Sequence, residues 1–212
     1  MDIHAPDRPV HSFRDFATHI AIVTVGILIA LGLDGLRESV REHRLVRETR
    51  SNIQLEMLSN QQHAAQEFSR IVQGRDQLKA LLSGWQVLAH QHPEQGAAQV
   101  DRVQNPYYFF SANSWQAALS TGALAHMSTD EASAYAGAAE SIRIYTGLQT
   151  QTMNQEMRTV AFFTAHPHPT QDQIEQATED LILFYGDEKS LAFVCPQMQA
   201  EIDRALRASA PR

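Results

Sequence analysis

FATHIAIVTVGILIALGL, residues Phe16–Leu33, decides the architecture of this 212-residue chain. The run holds no Asp, Glu, Lys or Arg. At about 18 residues it spans roughly 27 Å as a helix, close to the ~30 Å of a bilayer's hydrocarbon core. Its polar members are Thr18, His19 and Thr24. Threonine hydroxyls bond back to helix carbonyls, and His19 lies near an end of the run. Arg14 and Asp15 close it on one side, and Asp34, Arg37 and Glu38 on the other. The reading is a single membrane-spanning helix, with the lipid bilayer as its partner. Two alternatives stand beside it. Ala30-Leu31-Gly32 has the small residues that end a cleaved signal peptide, although Asp2, Asp7 and Asp15 spoil the positive leader such a peptide carries. A buried core helix of this length usually keeps one polar face, which this run lacks.

Thr18, Ile22, Gly26, Ala30 and Asp34 recur every fourth residue on one helix face. Gly26 and Ala30 form a small-xxx-small pair, the packing site expected for a homodimer through the membrane helix. Simple lipid-facing packing is the competing reading of the same pair.

Phe13-Arg14-Asp15-Phe16, then Val25-Gly26-Ile27-Leu28-Ile29-Ala30-Leu31, then a charged helix, resembles the N-terminus of a family of uncharacterised bacterial single-pass membrane proteins. Their GILIAL-type membrane helix leads into a helical domain. Trp115 with Thr121-Gly122-Ala123-Leu124 is similar to a motif in their soluble part. Relatives often carry Asn and Trp just after the membrane helix, where Asp34-Gly35-Leu36 stands here. The resemblance implies a bacterial inner-membrane anchor and a helical domain, and it implies no activity.

Charge divides the chain. Residues 1–50 hold seven Arg and seven Asp or Glu, so the formal charge of −7 falls in residues 51–212. An acidic domain offers no basic face for phosphates, which argues against nucleic acid as a partner. Two Arg precede the apolar run and five follow it closely. Counted by the positive-inside rule, this favours a cytoplasmic soluble domain, although the five Arg interleave with Glu. Cys195 is the single cysteine, so no intrachain disulfide or cysteine zinc site exists.

The expected fold is all-α: one N-terminal transmembrane helix continuing into a charged stalk, then a four- to five-helix bundle. The expected divisions are a flexible arm over 1–15, the membrane helix over 16–33, a charged juxtamembrane helix over 34–50 and an acidic bundle over 51–212. In the stalk, Arg37, Arg41, Arg44 and Arg47 share helical spacing, which suits a solvated helix or a stripe facing anionic headgroups. Ile53, Met57, Ala64, Phe68, Ile71, Leu78, Leu82 and Trp85 mark one face of a long helix over Ser51–Ala89. His90–Pro106 reads as loop. A short helix over Ser114–Thr121 follows, capped by Asn113 or Ser114 and ended by Gly122. Ser128 and Glu131 form a capping-box pattern that opens a helix over Thr129–Ala165, with Ala132, Tyr135, Ala139, Ile142, Met153 and Val160 inward. Thr170 with Gln173 opens another over Gln171–Tyr185, stopped by Gly186. The last set, Leu191, Val194, Met198, Ile202 and Leu206, meets Pro196, so a kink or break is expected near Val194–Cys195.

No catalytic signature stands out, and no cofactor or metal is called for. Ser114, Ser120 and Ser128 lack a GxSxG context, and there is no HExxH or phosphate loop. His90-Gln91-His92 and His166-Pro167-His168 resemble metal-ligand pairs, but zinc usually takes four ligands, and the pairs meet only if the two long helices run parallel. Cys195 reads as a buried, inert thiol. Tyr107, Tyr108, Phe109, Phe110 and Trp115 are the candidate pocket or partner surface, with core packing as the competing reading. Trp115 is expected in the shared core beside Leu119. The sequence thus suggests a non-catalytic, membrane-anchored interaction or assembly protein with an unidentified protein partner. The alternative is a small-ligand sensor with a pocket beside the Tyr107–Trp115 aromatics.

Overall fold

The computed structural model describes residues 13–92, 95, 98–100, 103 and 107–209, with residues 14, 15, 86 and 90 described in backbone alone. No strand occurs among the described residues, and the chain is all-α. Residues 1–12 of the expected N-terminal arm lie outside the description, and Phe13–Asp15 are already helical. Helix α1 spans Phe13–Gln91, α2 Asn113–Thr121, α3 Thr129–Ala165 and α4 Gln171–Ala208, with a 3₁₀ turn at Ala123–His126. The chain divides into two compact units, Met1–Arg47 and Glu48–Arg212.

In the first unit, α1 contains one stretch long and apolar enough to cross a membrane, and none of its most apolar window is buried. Ile22, Leu28, Leu31 and Leu33 are all more than 60 % exposed. Gly26 and Ala30 lie on this exposed surface, and among the described residues nothing stands within 4 Å of where a Cβ on Gly26 would project.

The second unit is built on three long helices. From Glu48 onward α1 runs parallel to α3. Arg50 reaches Glu131 at the start of α3, Glu67 meets Tyr145 and Gln149, and Trp85 meets Phe163 near the end. Helix α4 is antiparallel to both. Gln61 donates to Asp203, the Cys195 thiol approaches the Ala64 carbonyl, and Trp85 Nε1 donates to Thr178. Helix α4 packs along α3 as an antiparallel hairpin, closed by the turn at His166–Thr170.

The local signals explain most helix ends. Ser128 Oγ accepts the Glu131 N–H at the start of α3. Glu131 does not return the bond, because its carboxylate is engaged by Arg50 at 2.5 and 2.8 Å. At α4 the capping box is complete: Thr170 Oγ1 accepts from Gln173 N, and Thr170 N donates to Gln173 Oε1. Gly122 ends α2 at φ 72°, the left-handed backbone that glycine adopts without Cβ strain.

Two expected breaks in α4 are absent. The helix continues through both Gly186 and Pro196. An interior glycine costs about 1 kcal/mol and an interior proline about 3 kcal/mol. Against this, Phe184, Leu191, Cys195, Met198 and Ile202 lie on one face and are fully buried, each worth about 1.5–3 kcal/mol. Gly186 and Pro196 both sit on the exposed side.

The inward positions of α1 match the spacing: Ile53, Met57, Ala64, Ile71, Leu78 and Trp85 are buried, with Phe68 and Leu82 partly so. The apolar core forms two clusters. One gathers Ile53–Ile71, Tyr135–Tyr145 and Leu191–Ala205 with Phe110 and Ala118. The other gathers Leu78–Ala89, Phe163 and Ile174–Phe184 with Val100 and Val103. The expected loop at His90–Pro106 lies partly outside the described residues, but residues 98–100 are helical, and Val100 and Val103 are buried.

Candidate functional site

Residues 107–112 cross the second unit as an extended strap leading into α2. Polar side chains of α1 hold most of it, and Gln149 and Glu156 of α3 hold the Tyr108 carbonyl and the Tyr107 hydroxyl. Glu56 accepts the Ser111 hydroxyl at 2.6 Å and the Asn113 and Ser114 N–H groups at 3.0 and 2.9 Å. This carboxylate from another helix supplies the N-terminal cap of α2, where Asn113 or Ser114 was expected to do so. The residue in the cap position is Ala112, which has no side chain to bond with. Asn60 Nδ2 donates to the Ser111 carbonyl at 2.8 Å. The Tyr108 ring stacks on His63, with centroids 4.0 Å apart.

The five aromatic residues at and beside the strap divide by role. Phe110 is buried and meets Tyr108 and Tyr145 edge-on, at centroid distances of 4.8 and 5.1 Å. The Tyr107 hydroxyl donates to Glu156 Oε2 at 2.6 Å. Phe109 points outward, at 58 % exposure. Trp115 is half-buried at the edge of the first cluster, and Leu119 is exposed, so the expected Trp115–Leu119 core pair does not form. Trp85 holds the fully buried position instead. Phe110, Trp115, Ala139 and Ile142 line a cavity of about 310 Å³, with Glu140 and Arg143 paired at its rim.

Sequence spacing left unnoticed a buried polar layer between the two apolar clusters. Glu67 from α1, Gln149, Thr152 and Glu156 from α3, and Glu188 from α4 are all buried. Glu67 Oε1 accepts from the Tyr145 hydroxyl at 3.0 Å and from Gln149 Nε2 at 3.1 Å. Its Oε2 accepts from Arg70 at 2.6 Å and from Tyr108 N at 3.3 Å. Burial pushes the Glu67 carboxyl above the usual carboxylate range, opposed by the Tyr145 bond and the Arg70 charge. Burial, reinforced by the neighbouring carboxylates, pushes the Tyr107 and Tyr145 phenols strongly upward. The Cys195 thiol is raised to about 12 by burial and by Glu67, so it stays protonated and unreactive at neutral pH. The signal was present in the sequence: Glu67, Glu156 and Glu188 each fall at helical spacing from apolar neighbours, as in Phe184-Glu188-Leu191.

The parallel course of α1 and α3 brings both histidine pairs to the same end of the unit. Among the described residues, however, no group of three His, Cys, Asp or Glu has the geometry to hold a metal ion. His166 instead packs on Phe162, with its Nδ1 2.9 Å from the Phe162 carbonyl. The His90 side chain lies outside the description. No family model, curated protein or solved structure matches this chain.

Proposed function

We propose that this chain is a membrane-anchored helical interaction module without catalytic activity, held in a bacterial inner membrane by α1 and presenting its acidic unit to a protein partner. The observation that carries the reading is the exposure of Phe16–Leu33. An uncharged helical surface of that length is strongly unfavourable in water and matches the hydrocarbon thickness of a bilayer. The resemblance of the GILIAL segment to bacterial single-pass proteins supports it, and the five Arg after the run favour a cytoplasmic unit. Full-length protein should stay with membranes through high salt and alkaline carbonate and leave with detergent. Recovery of the intact chain in the soluble fraction refutes the anchor, and a mature N-terminus at Leu33 assigns the run to a cleaved signal peptide.

A second reading, a small-ligand sensor, draws on the cavity beside Phe110 and Trp115. Its volume falls at the lower end for ligand pockets. Ligand-dependent thermal stabilisation that Trp115→Ala abolishes would favour this reading over the first.

A further inference from the structure

The outer face of α4 carries a stripe that is exposed along its whole length. Its members recur at steps of three and four from Glu175 to Arg207, close to the repeat of about 3.5 residues that makes a coiled-coil seam. The opposite face of the helix, from Leu181 to Ile202, is the one buried in the core. Along the stripe the chemistry changes twice. Glu175 and Glu179 open it, and Arg204 and Arg207 close it. Between them stand Ile182, Gly186, Lys189, Phe193, Pro196 and Ala200. Ile182 is 55 % exposed and Phe193 71 %, whereas a helix face that meets only water is ordinarily polar.

The order of these residues is self-complementary in one direction only. Laid antiparallel on a second copy, with a two-fold axis level with Leu191, each position meets a residue suited to it. Glu175 faces Arg207, and Glu179 faces Arg204. Ile182 faces Ala200 and Gly186 faces Pro196, in each case a larger side chain against a smaller one. Lys189 lies over Phe193, a cation against an aromatic face. The two-fold repeats every pair. Asp203, beside Arg204, does not spoil the match, because it is turned to Gln61 on α1. Arg204 bonds Glu201 in its own chain, yet its side chain remains 63 % exposed. Laid parallel, the stripe would set Glu179 on Glu179 and Arg204 on Arg204, and like charges would repel.

We propose that α4 is a self-association surface, on which a second copy of this chain docks its own α4 antiparallel through the stripe from Glu175 to Arg207. The inference rests on the reading of the second unit as an interaction module and names that module's partner. It concerns the second units alone.

Ser190 is exposed beside the stripe and one residue from the axis, so Ser190→Cys brings two thiols together across it, while the native Cys195 is buried. The full chain carrying Ser190→Cys, in a mild-detergent extract of membranes, is treated with a short bismaleimide. The chain with Ser190 intact supplies the background. The expected result is a crosslinked dimer of this chain. Glu179→Arg and Arg204→Glu should each reduce it about tenfold, because the two-fold repeats each lost pair and sets like charges in its place. Mixing the two variants under separate tags should restore crosslinking between them, since each then carries the charges the other needs. That rescue also shows both variants to be folded. If Arg204→Glu does not fold, Phe193→Glu, which places a charge at the apolar centre, should produce the same loss. A dimer indifferent to these substitutions overturns the proposal, as does a loss without rescue in folded variants, or a Ser190→Cys crosslink to a different protein. No crosslink from a chain that alkaline carbonate leaves in the membrane also overturns it, and the anchored-module reading survives that result. A chain that carbonate releases refutes the anchor instead, and the dimer and its rescue still decide the pairing.

Discussion

Trp85→Ala and Trp115→Ala, compared in the full chain in mild detergent, test the core assignment. Trp85 is 2 % exposed, lies edge-on to Phe163 at 5.4 Å and donates its indole N–H to Thr178 Oγ1 at 2.7 Å. Removing a buried large aromatic costs about 3–5 kcal/mol. Thr178 adds little to that, because its hydroxyl still donates to the Ile174 carbonyl. Trp115 packs against the first cluster but keeps part of its surface in water, so a somewhat smaller loss of about 2–4 kcal/mol is expected. At about 2–4 °C per kcal/mol for a domain of this size, Trp85→Ala should lower the melting temperature by roughly 6–20 °C and Trp115→Ala by roughly 4–16 °C. Melts followed by far-UV circular dichroism read both. The chain has two tryptophans, so Trp115→Phe leaves Trp85 as the sole indole and Trp85→Phe leaves Trp115. Acrylamide should quench the first protein's emission weakly and the second's more strongly. A larger loss from Trp115→Ala than from Trp85→Ala, with the quenching order reversed, would refute the packing described for both residues.

Glu56→Ala removes the acceptor for the Ser111 hydroxyl and for two N–H groups of α2, and should cost about 1–2 kcal/mol, the usual range for a lost cap. Hydrogen exchange at residues 111–116 should accelerate selectively, whereas uniform acceleration would point to global destabilisation. Cys195, with its thiol at about 12, should resist a disulfide reagent at pH ~8 until the unit opens. Prompt stoichiometric modification of native protein would place it at the surface. Among the described residues nothing stands within 4 Å of a Cβ on Gly26, so a fall in membrane crosslinking by Gly26→Ile would report association. Unchanged crosslinking would remove the Gly26–Ala30 face as a dimer contact.

The elements with strong periodicity were readable without coordinates. The stripe Ile53–Trp85, the caps at Ser128 and Thr170 and the glycine stop at Gly122 follow from local physics, because each depends on residues within a turn or two. The misses share the opposite property. Gly186 and Pro196 look like breaks when weighed alone, yet α4 runs through them because the buried face from Phe184 to Ile202 outweighs both penalties. Trp115 looks like a core residue beside Leu119. It does pack against the first cluster, but only partly buried and without Leu119, and that depth was set by where the strap lays α2, which depends on Glu56, 57 residues upstream of Asn113.

The least legible feature, helix direction, follows from the connection. A short turn between α1 and α3 would force them antiparallel, as the turn at His166–Thr170 does for α3 and α4. Residues 92–128 are long enough to cross back over a helix of 37 residues, roughly 55 Å. Their extended part needs far fewer residues per ångström than helix does. The return path explains the strap: an extended backbone lying against helices must bond its N–H and C=O groups to side chains, since it has no ladder partner. Glu56, Ser59, Asn60 and Glu67 occur on α1 on or beside the stripe facing the strap, at spacings of three, four or seven within one pair or another. Asn60 and Glu67 meet Ser111 and Tyr108 directly, and Ser59 approaches the Tyr108 hydroxyl. Polar residues that appear to interrupt an apolar face are therefore the attachment points of the crossing segment. Glu67 is the one of these that also enters the buried layer, and Tyr107 ties the strap to the same layer a second time through Glu156 on α3.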